Sequence, residues 1–153
     1  MAWFDWLRKA PTPVIEHPVF GRLRAAHRPL EGPWSWETLD WVDTPRGHVS
    51  VTFDAGEGGP TSAHEAQWNG ILAKLDELTS AAAPLIASEL KDWEVAFDAD
   101  APWAEIIWES ADLCGDSQAG DEFALGYACQ SWPDAMITIY FEGERPMLSR
   151  LDD

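Results

Sequence analysis

Basic residues are scarce in this chain. Its 153 residues include 10 Lys and Arg against 27 Asp and Glu, for a formal net charge of −17. Nucleic acid and anionic membrane surfaces both demand a positive patch, so neither is expected as a partner. Cysteine is scarce as well, with only Cys114 and Cys129. A chain of this length can build a core without disulfides, and no Lys, Arg or His lies close in sequence to lower either thiol pKa. Two unpaired, unreactive thiols in a cytoplasmic protein are therefore expected. No apolar run approaches the ~18 residues of a membrane-spanning helix. The start, Met1 to Lys9, is not built as a secretion signal: Asp5 interrupts its short apolar run, and Arg8 and Lys9 follow that run instead of preceding it.

Carboxylate and tryptophan are what the chain has in abundance. Residues 1–88 carry 11 acids and 7 bases, and residues 89–153 carry 16 acids and 3 bases. From Asp92 to Glu144 there are 13 carboxylates and no Lys, Arg or His. Such a field attracts cations over a Debye length of ~8–10 Å. It is expected to serve either as a face for a basic protein partner, carried by Asp98, Asp100, Glu105, Glu109, Asp112 and Asp116, or simply as a solubilising surface. The ten Trp belong mainly to the core, because each has a large apolar area and one N–H to satisfy. Trp34, Trp36 and Trp132 are the alternative candidates, for a ligand pocket or hydrolase site pairing Trp with carboxylates.

Periodicity predicts one α+β domain over 1–153, with a short N-terminal helix and Pro-containing linker over 1–13 and a globular body over 18–151. Trp3, Phe4, Trp6 and Leu7 fit the helix, and Pro11 and Pro13 end it. Strands are expected over 19–28, 34–42 and 48–53, as an antiparallel meander. Ser62 with Glu65 reads as a capping box, and Trp68, Ile71, Leu72, Leu75 and Leu78 form one apolar stripe over 62–79. Thr79 to Pro84 reads as a break before a second helix ending near Trp93, which makes an αα-hairpin packed on the sheet. Residues 102–113 fit either helix or strand. Alternation then predicts strands over 122–130, 135–142 and 147–151, as a C-terminal antiparallel hairpin or meander.

Catalytic and metal motifs fail on inspection. Gly56-Glu-Gly-Gly59 precedes a helix but has no following Lys, and Asp54 and Glu57 would repel a phosphate. His64-Glu65 begins like a zinc-protease helix, yet position 68 is Trp. Asp98 and Asp100 form an isolated Asp-x-Asp pair. From Asp112, the calcium-loop positions 3, 6 and 12 are Cys114, Ser117 and Phe123. No nucleophile elbow occurs. No cofactor, no metal and no catalytic residue are expected.

The segments Phe123-Ala-Leu-Gly-Tyr-Ala-Cys-Gln-Ser-Trp-Pro-Asp-Ala-Met-Ile-Thr-Ile-Tyr-Phe141 and Val19-Phe-Gly-Arg-Leu23 resemble small bacterial domains of unknown function, some of them immunity proteins of polymorphic toxin systems. The resemblance implies an early meander, a helical middle and a C-terminal hairpin over about residues 18–150. Some of those domains carry an acidic-His-Gly pattern after the hairpin Trp-Asp, whereas here Asp134 is followed by Ala135 and Met136. No site residue carries over.

Overall fold

Two-residue alternation places Leu23, Trp36, Val51, Phe53, Trp108, Leu125, Tyr127, Ile137 and Ile139 on one side of a sheet, and all of them are buried. The protein was described from a computed structural model covering residues 11–115 and 121–152. Nine strands form one mixed sheet: β1 Val14–His17, β2 Gly21–His27, β3 Trp34–Thr38, β4 Val42–Thr44, β5 Gly47–Ala55, β6 Ile106–Leu113, β7 Glu122–Cys129, β8 Met136–Glu142 and β9 Arg145–Asp152. Their spatial order is β1-β2-β3-β5-β6-β7-β8-β9, with β4 paired to the start of β5. One helix, α1 (Ser62–Lys91), packs on the buried side.

The expected αα-hairpin is not present. Helix α1 runs unbroken through the segment read as a break. Ala81, Ala82 and Ala83 have the best helix propensity, and the buried stripe Leu75, Leu78, Thr79, Ala82, Ala83, Ile86 and Leu90 continues at helical spacing. Pro84 is exposed on the outer side, so its missing N–H leaves only the Ser80 carbonyl without its helical donor. The helix starts at Ser62 as expected, but the cap lies one residue earlier than Ser62: Thr61 is the N-cap, and the Thr61 N–H donates to Nδ1 of His64 (3.1 Å). The expected N-terminal helix falls on residues 1–10, outside the described residues.

The expectation of purely antiparallel pairing is also corrected. Strands β5 and β6 are parallel, with Thr52 opposite Asp112 and Phe53 opposite Leu113. A parallel neighbour needs a crossover of a dozen residues or more, and α1 with the segment 92–105 supplies it. Residues 102–113, open between helix and strand, divide into a 3-10 turn at Pro102–Ala104 and strand β6. The β1-β2-β3 and β6-β7-β8-β9 pairings are antiparallel, as alternation required. Strand β1 was not anticipated, and the stretch 34–42 splits into β3 and the start of β4 at the exposed Trp41 corner.

The helix crosses the sheet obliquely. Near its start, His64 meets Phe53 edge-on (5.8 Å), and Trp68 packs on Phe20 (5.9 Å) and Trp108 (5.6 Å). In mid-course the Thr79 hydroxyl bonds the Tyr127 hydroxyl (3.0 Å), and both are buried. Near its end the Ser149 hydroxyl of β9 donates to Glu89 (2.5 Å). The buried indoles are satisfied: Trp36 donates to the Gly56 carbonyl (2.9 Å) and Trp108 to that of Ser110 (2.7 Å). Cys114 and Cys129 are free thiols. Because Pro84 sits on the solvent side, Pro84→Ala restores a helix hydrogen bond at no packing cost. Urea unfolding of this variant is expected to show a gain of about 1–3 kcal/mol.

Candidate functional site

With α1 on one side, no helix among the described residues covers the second face of the sheet, and the strand registers dictate which side chains meet there. One row runs Arg24, Glu37, Thr52, Asp112, Ala124, Tyr140 and Leu148 across β2, β3, β5, β6, β7, β8 and β9. The next row outward places Asp54 on β5 and sets Glu122 directly opposite Glu142. On β9 a bulge between the partners of Tyr140 and Phe141 inserts Met147 as an extra residue. Bulges re-aim side chains, and Met147 and Leu148 come to line the same wall.

These residues enclose a cleft of about 590 Å3. Four carboxylates line it (Asp54, Asp112, Glu122 and Glu142), together with Thr52, Cys114, Ala124, Tyr140, Met147 and Leu148. The Thr52 hydroxyl donates to Asp112. None of the four carboxylates joins an ion pair with Lys, Arg or His among the described residues. Three bases of the open face are already engaged: Arg22 with Asp40 (2.9 Å), Arg24 with Glu37, and Arg150 with Asp152 (2.8 Å). Tyr140, Met147 and Leu148 are 37%, 43% and 52% exposed, an apolar strip beside the acids.

The cleft rim is tied to α1 through two side chains, Gln67 and His64. Gln67 Oε1 accepts from the Gly115 N–H (3.0 Å), and Gln67 Nε2 donates to the Glu122 carbonyl (2.9 Å). His64 Nε2 donates to the Asp54 carbonyl (2.9 Å), which places Asp54 by the helix start. Gly115 has φ of +61°, and a Cβ there would strike the His64 ring. Burial pushes the Cys114 thiol above its ordinary value, and Asp54, Glu122 and Asp112 push it further the same way. The cleft therefore disfavours anions and is no home for a thiolate nucleophile. Among the described residues no group of three or more His, Cys, Asp or Glu is arranged to hold a metal ion.

Of the six acids singled out in the sequence, the five among the described residues are not brought together. Asp112 lies in the cleft. Asp98 and Asp100 form a turn in the connector after α1, where the Asp100 N–H donates to Asp98 (3.0 Å). Glu105 receives the Ser131 N–H (2.9 Å) and hydroxyl, closing a loop at the opposite end of β6. Glu109 is the extra residue of a bulge in β6. Asp116 falls outside the described residues. The tryptophans separate too. Trp34 stacks on the buried Trp36 (6.0 Å) and shares a hollow of about 470 Å3 with Arg28 and Glu57, while Trp132 packs against Trp93 (4.8 Å).

Asp54, Glu122, Glu142, Tyr140, Met147 and Leu148 were not anticipated as one site. Alternation put Tyr140 on the face away from Ile139, but only the parallel β5–β6 register sets Thr52 and Asp54 beside Asp112. No family model, curated protein or solved structure matches the chain. No helix of the described residues is long and apolar enough to cross a membrane.

Cys114 provides a built-in probe of the cleft field. Its alkylation by iodoacetamide, followed by peptide mapping, is expected to be slow and to speed up in Asp54→Asn and Glu122→Gln. Removing a negative neighbour lowers the thiol pKa, so more thiolate is present at a fixed pH.

Proposed function

We propose that the protein is a non-enzymatic interaction module whose open, acidic sheet face receives a basic protein partner. The observation that carries this reading is the cleft itself, in which four carboxylates without ion pairs border an exposed apolar strip. Interfaces combine these two elements, apolar contact for affinity and unneutralised charge for steering. The face is asymmetric: bases near β2 are paired off, and the free negative charge lies toward β6, β7 and β8. The formal charge of −17 strengthens the long-range attraction for a cation. An immunity factor that caps a basic toxin is one form of this reading, in line with the resemblance of the Phe123–Phe141 hairpin.

The test is affinity capture from bacterial lysate with mass-spectrometric identification, run on three proteins. These are the wild type, a cleft variant (Asp54→Asn, Asp112→Asn, Glu122→Gln, Glu142→Gln), and a control of equal charge change elsewhere (Glu31→Gln, Glu57→Gln, Glu77→Gln, Asp134→Asn). The expected result is a basic protein, bound by wild type and control, lost by the cleft variant, and released between about 50 and 500 mM salt. Recovery of no partner, or equal loss in both variants, would leave the acidic surface as a solubility device and overturn the reading.

A further inference from the structure

The cleft has a more specific chemistry than negative charge alone. Its floor is Ala124, a single methyl overhung by the longer side chains of its neighbours. Asp112 and Tyr140 flank it in the same row, one strand away on each side. Two strand spacings put their Cα atoms about 9–10 Å apart. That slot has a carboxylate on one wall and an aromatic ring on the other. A planar cation between them meets both, hydrogen-bonding the acid and lying against the ring face.

The row beyond adds a second reason for a cation. Glu122 and Glu142 are direct cross-strand partners, and like charges in that relation destabilise a sheet. Arg145 follows Glu142 across the tight turn, yet no ion pair joins them. A cation seated in the slot lowers this repulsion. The remaining wall, Met147 and Leu148, is apolar and exposed. It calls for an apolar group next to the cation on the same ligand.

We infer that this slot takes an arginine side chain from the basic partner, between Asp112 and Tyr140, with a neighbouring apolar residue of the same segment on Met147 and Leu148; this rests on the reading that the open face binds a basic protein. Arginine fits better than lysine because its guanidinium is flat. It can fork to a carboxylate while stacking on a ring, whereas an ammonium is a compact, strongly hydrated point charge. The cleft is large enough for a few residues beyond the arginine, since sites of about 300–1,000 Å3 hold ligands of that size. A second copy of this chain is a poor occupant, because two molecules of charge −17 repel.

The probes are three capped tripeptides, acetyl-Leu-Arg-Leu-amide and its lysine and citrulline counterparts, titrated into the 15N-labelled full chain. Amide shifts are expected at Asp112, Ala124, Tyr140 and Leu148, with the arginine peptide about two- to fivefold tighter than the lysine peptide and the citrulline peptide not binding. Tyr140→Leu is expected to erase the arginine preference while the amide spectrum away from the cleft stays that of wild type. Equal binding of the Arg and Lys peptides, or shifts confined to other parts of the face, overturns the assignment. An oligo-arginine peptide separates the two proposals. If it binds the open face at low salt while the tripeptide leaves the cleft unmoved, the arginine slot falls and the acidic face stands. If it does not bind at all, both fall.

Discussion

One helix covers the β5 to β9 part of a sheet whose main path is eight strands wide. Thirty residues at 1.5 Å rise give a rod about 45 Å long, and seven strand spacings of ~4.8 Å give a width of about 34 Å. A continuous helix reaches from Phe53 on the mid-sheet strand β5 to Ser149 on the edge strand β9. Two shorter helices joined at Thr79–Pro84 would leave part of that core open. This is why the helix tolerates Pro84, and why Thr79, Ala82 and Ala83 are buried among large apolar side chains.

The same arrangement shapes the opposite face. Among the described residues no helix covers that side of the sheet, so its rows are polar, small or exposed. The crossover through α1 makes β6 a parallel neighbour of β5, which brings Asp54 and Thr52, from the nearly balanced first half, next to Asp112 of the acidic second half. The cleft is thus assembled from both halves of the chain. Its rim is held from the helix side by Gln67 and His64, so the geometry of the open face depends on the docking of α1.

Charge along the chain is a poor guide to charge in space. The cation-free stretch from Asp92 to Glu144 appears as one acidic block in sequence. Folding sends Asp98 and Asp100 to a connector turn, Glu105 to a loop closure and Glu109 to a bulge. Glu105 and Asp98 there do structural work, accepting backbone N–H groups of nearby turns. Alternate residues of a strand face opposite ways, so even neighbouring acids part company. Among the described residues of that stretch only Asp112, Glu122 and Glu142 share the cleft, and Asp54 joins them from 58 residues before Asp112.

Local pattern by itself determined β2, β3, β5 and the strands of the C-terminal sheet in outline, but not β1 or β4, together with which of their faces is buried, the start of α1, and the overall acidity. These follow from side-chain period and capping chemistry, which act between residues close in sequence. Helix continuity through Pro84, the parallel register of β5 with β6, and the meeting of Asp54, Asp112, Glu122 and Glu142 beside Tyr140, Met147 and Leu148 were decided only by tertiary structure. Each depends on which distant segments share a core. Apolar burial across the whole sheet outweighs one missing helix hydrogen bond, and no local pattern records that balance.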